Sequence, residues 1–253
     1  MATMKFQAHK GVSTENPENT MPSFVAAIEQ GYDIIELDVG VTKDLKFVLL
    51  HDKEINRTAR NKDGSALVDK VAISDITYEQ ALEYDYGLWF SEEFRGTDIA
   101  LFEDVLKLAK EKGIGLKIDN KYQDYTEEEK LLFFELLKPY QTVASLTCNQ
   151  IEELNRAIEV LPEMSFHYDG AVTREKLATL SQILPKERLT VWLPYQNRFT
   201  SWFKGDFVTN ELADLVKEYA ALGIWLISER EELDAAERLG AVIVETNGHL
   251  KPQ

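Results

Sequence analysis

Two short stretches concentrate groups able to do acid–base and metal chemistry. In ELDVGVTKDLKFVLLHD (36–52), Glu36, Asp38 and His51 stand where apolar runs stop. IGLKIDNK (114–121) ends the same way in Asp119, with Lys121 two positions on. His9 and Lys10 directly follow MKFQA (4–8). Residues two apart in an extended chain share a face, so Glu36 and Asp38 are aligned, and Asp119 and Lys121 are too if the extension persists. Three carboxylates form a hard oxygen set suited to one divalent cation, Mg²⁺ or Ca²⁺. Two imidazoles titrating near neutrality suit a general base and a general acid. Lysines beside them bind an anionic oxygen, most naturally phosphate. Together the set fits phosphodiester cleavage: cation and lysine neutralise the phosphoryl oxygens, one histidine deprotonates the nucleophile, and the other protonates the leaving alkoxide. Singly, each group is commonplace, since a Glu-x-Asp is usually a solvated strand end and a lone histidine a surface or core group. The chain has only four histidines, however, and two of them follow predicted strands on the same rim as the acids.

The elements that must position these groups alternate between strand and helix. The strands read from the pattern are 4–8, 32–39, 46–50 and 114–118, then TVASLT, MSFHY, RLTVWLP, IWLIS and AVIVET, with amphipathic helices between most of them. Parallel strands need helical crossovers, and eight such units close into a barrel of about this length. An open doubly wound sheet is the competitor, but no glycine-rich phosphate loop follows the first strand. The predicted fold is therefore α/β: one (β/α)8 TIM-type barrel domain over 1–253, with a small insertion after the third strand at about 52–98. That insertion is polar and turn-rich and is expected to lack a core of its own. In such barrels the chemistry sits at the C-terminal ends of the strands, where the acids and imidazoles fall.

Composition narrows the function classes. A formal net charge of −16 without a lysine or arginine cluster disfavours nucleic acid and anionic membrane surfaces as partners. The single cysteine, Cys148, excludes an internal disulfide and a cysteine-rich zinc site. No apolar run is long enough for a signal peptide or stable membrane insertion. A cytoplasmic protein acting on a small-molecule phosphodiester is the expectation, with the oligomeric state left open.

The segment AHKGVSTENPENTMPSFVAAIEQGYDIIELDVGVTKDLKFVLLHDKEINRT (8–58) resembles the N-terminal signature of the glycerophosphodiester phosphodiesterase family. Five short motifs occur there in order: a His-Arg-Gly-like opening, Pro-Glu-Asn-Thr, Glu-x-Asp, His-Asp and Arg-Thr. The likeness continues more thinly to residue 125. It implies metal-dependent hydrolysis of glycerophosphodiesters to glycerol 3-phosphate and an alcohol. His9 and His51 would be the acid–base pair, Glu36, Asp38 and Asp119 the metal ligands, and Lys10 and Lys121 the phosphate contacts. Glu18 and Asn19 would support the site, with a helix N-cap as the other role for Asn19. The alternatives are a phospholipase D-like lyase giving a cyclic phosphate, and a non-catalytic phosphodiester-binding protein on the same barrel.

The chain departs from the family pattern in several places. Lys10 replaces arginine, and Asp119 replaces glutamate. Ser228 stands where a Trp-Thr-x-Asn motif is usual, and the C-terminal Thr-Asp-x-Pro reads VETNGHL. The aromatic run VWLPYQNRFTSWFKGDF (191–207) overhangs the predicted rim. Loop packing is its leading interpretation; the alternative is a pocket for an alcohol or sugar substituent, or a lipid contact. His167 is expected to be a core or supporting histidine, and His249 part of the tail.

Overall fold

A computed structural model describes residues 4–252 of the chain. Eight parallel strands close on themselves: β1 (Lys5–His9), β2 (Ile34–Leu37), β7 (Gly115–Ile118), β8 (Ala144–Cys148), β9 (Ser165–Tyr168), β10 (Leu189–Pro194), β11 (Ala221–Trp225) and β12 (Ile243–Thr246), with β1 hydrogen-bonded to both β2 and β12. The crossovers carry α1 (Met21–Glu29), α3 (Phe102–Lys112), α4 (Glu127–Leu137), α5 (Ile151–Val160), α6 (Arg174–Ile183), α7 (Asn210–Tyr219) and α8 (Arg230–Leu239). The predicted (β/α)8 barrel is the fold.

Local chemistry sets the element ends. α3 has Glu103 and Asp104 in its first turn and Lys110 and Lys112 in its last, matching the helix dipole. Gly113 then ends it in the left-handed region at φ 68°. One boundary differs from the sequence pattern. The strand read at IWLIS starts three residues earlier than the pattern suggests: β11 begins at Ala221, and Gly223 lies inside it. The reason is a close approach: a Cβ on Gly223 would sit 2.6 Å from the Trp192 ring of the neighbouring strand.

The stretch KFVLL differs more. Phe47–Leu49 (β4) is not a stave of the barrel; it pairs antiparallel with β3 (Val39–Val41) in a separate hairpin. After β2 the chain therefore leaves the sheet and rejoins it only at β7, after α3. This excursion also holds the two-residue strands β5 (Arg60–Asn61) and β6 (Tyr84–Asp85) and the short helix α2 (Tyr78–Ala81). Polar as it reads, it buries a small core of its own, including Val48, Leu50, Ile55, Ile73, Tyr86 and Ile99.

An aromatic cluster fastens the hairpin to the barrel. Phe47 lies with its ring centroid 5.3 Å from that of Phe133 on α4, and Phe133 stacks on Phe102 at 5.8 Å and on Tyr122 at 5.8 Å. Phe133 is fully buried. Phe133→Ala should therefore cost about 3–5 kcal/mol of unfolding free energy. Denaturant titration checks this, and a cost below about 1 kcal/mol would show that the cluster does not hold the hairpin in place.

Candidate active site

The ends of β1, β2 and β7 lie in register. His9 faces Glu36 across β1 and β2, and Glu36 faces Lys117 across β2 and β7. Two residues further along, Asp38 and Asp119 project from the same faces. His51 arrives from the hairpin rather than from a stave. His9, Lys10, Glu36, Asp38, His51 and Asp119 all line one cavity of about 530 Å³. A slightly larger cavity, about 610 Å³, opens at the opposite end of the barrel around Lys5, Asp33 and Gly115, but it has neither the paired imidazoles nor the converging carboxylates. We place the chemistry at the first of these.

Each histidine is oriented by a different partner. The Nδ1 of His9 is 2.6 Å from Asn247 Oδ1. An amide oxygen only accepts, so Nδ1 carries the proton and Nε2, 4.0 Å from Glu36, presents its lone pair to the cavity. Burial lowers the His9 pKa, and Lys10 adds to this against the opposing pull of Glu245. The Nδ1 of His51 is 2.6 Å from Asp52 Oδ1, and Asp52 is held by Arg57 Nε at 2.5 Å. Arg57 then makes a bidentate contact with Glu18 at 2.9 and 2.6 Å. Glu18 in turn lies 3.4 Å from Lys10 Nζ.

The carboxylates crowd one another. Burial raises Glu36 well above the usual carboxylate range, and repulsion from Asp38 and Glu245 adds to it, against the pull of Lys117. Burial and Asp38 likewise raise Asp119. Burial works against Asp38 as well, but Lys121, Lys10 and His51 outweigh it and hold that carboxyl at about 2. The extended backbone does not persist past Asp119: Lys121 sits in a 3-10 turn, Asn120–Asp124, with Nζ 3.2 Å from Asp38 and 3.9 Å from Asp119. Asn19 clamps Asp38 by donating to Oδ2 at 2.9 Å and accepting from the backbone N–H at 3.2 Å, while Thr20 caps α1.

The donor chemistry suits a hard cation: three mutually repelling carboxylates on one cavity. They are not preassembled around a vacancy. Among the described residues no three His, Cys, Asp or Glu side chains stand ready as a ligand set. Lys121 bridges two of these carboxylates, and Glu36 accepts from the Lys10 backbone N–H at 3.0 Å.

Several cavity residues escaped the sequence reading. Lys117 is buried, 3.3 Å from Glu245 and 4.6 Å from the centre of the Trp192 ring. Its signal was the same two-residue spacing, since it precedes Asp119 on one face. Glu245 and Asn247 lie in the last strand and just beyond it, where only motif loss had been noted. Asp169 follows β9. In the aromatic run, Trp192, Phe199, Trp202 and Phe203 line the cavity, joined by Trp225. Loop packing is thus only part of their role, and Tyr195 packs against the main core instead. His167 is a core residue: it accepts from Trp192 Nε1 at 2.8 Å and bonds Ser145 at 2.8 Å. His249 packs on Phe199 at 5.3 Å.

Residues 9–144 match the Glycerophosphoryl diester phosphodiesterase family. The chain belongs to that family. Membership makes it a phosphodiesterase by class, and the resemblance read from residues 8–58 is confirmed. It is 29% identical over 206 residues to a glycerophosphodiester phosphodiesterase of Bacillus altitudinis, covering 70% of this chain and 81% of the relative. It is 38% identical to the enzyme of that name from Caldanaerobacter subterraneus subsp. tengcongensis over 114 residues, 45% of this chain and 44% of the other. The fold is shared with an Oleispira antarctica phosphodiesterase solved in complex with the product sn-glycerol-3-phosphate, at TM-score 0.74 and 20% identity, covering 96% of this chain and 93% of that one. Among the described residues no helix is long and apolar enough to cross a membrane.

Asp169 gives a stability test. Burial and repulsion from Asp119 raise its pKa to about 7. The folded state then holds that proton more tightly than the unfolded chain does, so the contribution is present at low pH and lost as pH rises through about 7. Asp169→Asn should stabilise the protein by about 1–3 kcal/mol near pH 8 and be close to neutral near pH 4. Denaturant midpoints at both pH values decide it, and destabilisation at the higher pH would mean the charge is well compensated.

Proposed function

We propose that this phosphodiesterase hydrolyses glycerophosphodiesters to glycerol 3-phosphate and an alcohol by acid–base catalysis between His9 and His51. One observation carries this reading: the two imidazoles come from separate elements yet open, with three carboxylates, onto a single cavity. Family membership supports the substrate class.

His9 is assigned as the base. Burial favours its neutral form, and the contact with Asn247 at Nδ1 leaves Nε2 for the cavity. It takes the proton from the glycerol hydroxyl next to the ester, whose oxygen attacks phosphorus to close a cyclic phosphate. His51 is assigned as the acid that protonates the departing alkoxide. The Asp52 carboxylate behind it orients the ring through Nδ1. In the second half the roles reverse: His51 draws a proton from water, and His9 returns one to the glycerol oxygen as the ring opens. Lys10, from the cavity wall, contacts the phosphoryl oxygens as a point charge.

Glu36, Asp38 and Asp119 would hold a divalent cation, Mg²⁺ or Ca²⁺. When bound it would supply charge neutralisation for the phosphoryl oxygens. Lys121 bridges Asp38 and Asp119 and keeps those two charges apart.

The test is a product assay on purified protein with glycerophosphodiesters. Release of glycerol 3-phosphate supports hydrolysis, a stable cyclic phosphate would mark a lyase, and no product would leave a binding protein. His9→Ala and His51→Ala should each lower turnover by roughly 10²–10⁴. The double variant should lose far less than the product of the two effects, because both act in one transition state. Near-normal turnover in either folded single variant would remove that residue from the mechanism.

Treatment with a chelator should abolish activity, and Mg²⁺ or Ca²⁺ should restore it, as three hard oxygen donors require. Full activity in excess chelator would take the cation out of the account.

A further inference from the structure

Residues two apart on a strand share a face, so each barrel strand carries a short column of side chains into the interior. Counting two residues back from Asp38, Asp119, Asp169 and Asn247 gives Glu36, Lys117, His167 and Glu245, all buried. Two more residues back stand Ile34, Gly115, Ser165 and Ile243, and these line a different cavity, the one of about 610 Å³ at the opposite mouth. Lys5, Ser145 and Thr190 join them there. Barrel interiors are normally filled by bulky branched side chains. Here glycine and hydroxyl residues leave the lower end open, with a volume in the range of small-molecule sites.

One pair in this lower cavity has the spacing of a nucleophile and its base. His167 Nε2 is 2.8 Å from Ser145 Oγ. Trp192 Nε1 donates to His167 Nδ1 at 2.8 Å, however, so Nε2 carries the ring proton and donates to the serine. Ser145 Oγ in turn donates to the Leu116 carbonyl at 2.8 Å. The serine is not activated, and the lower cavity is built to bind rather than to react.

Its lining says what it would bind. Lys5, Lys112 and Arg188 outnumber Asp33 and Glu187, a local reversal of sign in a chain of net charge −16. Asp33 is engaged by the Phe6 N–H at 2.8 Å. Arg188 commits Nε and Nη2 to the Met164 carbonyl at 3.1 and 2.6 Å, which leaves Nη1. Among the described residues, the Lys5 ammonium and the hydroxyls of Ser165 and Thr190 line the cavity with no side-chain partner. Ammonium, guanidinium and hydroxyl donors together recognise a compact oxyanion. An organic cation would meet the three basic groups, and an apolar ligand would meet a charged mouth. We propose that the lower cavity is a second binding site, separate from the catalytic one, for a phosphate-type oxyanion held by Lys5, Arg188, Ser165 and Thr190. Inorganic phosphate and a phosphomonoester such as glycerol 3-phosphate share that chemistry. The inference goes beyond the diester hydrolysis proposed above and does not depend on it.

The experiment titrates inorganic phosphate and glycerol 3-phosphate separately into the protein by calorimetry, with chelator present so that no cation draws either anion into the catalytic cavity. The parent is compared with Lys5→Gln, Lys5→Arg, Ser165→Leu and, as the control on the catalytic side, Lys10→Ala. Lys5 and Ser165 are exposed at the lower mouth, so the substitutions should leave the fold intact, and thermal midpoints check this. The parent should bind at least one of the two anions saturably. Lys5→Gln and Ser165→Leu should each weaken that binding by roughly tenfold or more, the scale of one charge-assisted hydrogen bond or of a blocked mouth. Lys5→Arg should retain most of it, and Lys10→Ala should leave it unchanged. Tighter binding of glycerol 3-phosphate would make the site one for the organic ester, and tighter binding of phosphate one for the free anion; both support the proposal. No saturable binding of either anion overturns it. Binding that Lys10→Ala abolishes and the two lower substitutions leave alone also overturns it, because the anion then lies in the catalytic cavity.

Discussion

Like charges forced together in a buried mouth are the constraint on which the rest of this structure depends. Glu36, Asp38, Asp119, Asp169 and Glu245 open onto one cavity in a chain of net charge −16. Two such charges about 4 Å apart repel by roughly 4 kcal/mol at an effective dielectric constant near 20, a large fraction of the stability of a typical domain. The fold tolerates this because cations are interleaved with the acids: Lys117 at Glu245, Lys121 between Asp38 and Asp119, and Lys10 at Glu18. Buried Lys117 pairs with Glu245 and is covered by the Trp192 ring, which packs where residue 223 lacks a side chain. Under the proposed function a bound divalent cation would relieve this repulsion.

One of the two imidazoles proposed for catalysis is delivered from outside the barrel. The ends of β1, β2 and β7 are already filled by His9, Glu36, Asp38 and Asp119. His51 comes from the β3–β4 hairpin and is 43% exposed. Its position is set from two sides. Phe47 anchors the hairpin in the cluster around Phe133, and the run His51–Asp52–Arg57–Glu18–Lys10 ties it back to the end of β1. The excursion is therefore part of the active-site architecture, with its own small core to keep it rigid.

Much of this was legible in the sequence because both signals are periodic. Strand–helix alternation gives the barrel, and two-residue spacing at strand ends puts Glu36 with Asp38. The same rule would have found Lys117 had Asp119 been read backwards as well as forwards. Other features depend on tertiary contacts. KFVLL looks like a barrel strand, since a buried hairpin strand has the same apolar pattern. The two-residue alignment of Asp119 with Lys121 does not hold because the chain turns helical after Asp119. Asn247 carries no spacing signal, and its role appears only when β12 closes beside β1. The aromatic run from residue 191 was ambiguous in sequence because packing and pocket lining select the same residue types.

The central claim is that His9, His51 and the three carboxylates form one phosphodiester site. A crystal structure of the protein with Ca²⁺ and glycerol 3-phosphate tests it most directly. The account predicts the ion on Glu36, Asp38 and Asp119, with the phosphate between the two imidazoles and Lys121 displaced from at least one carboxylate. A phosphate bound elsewhere, or an ion that leaves these three side chains untouched, would contradict it.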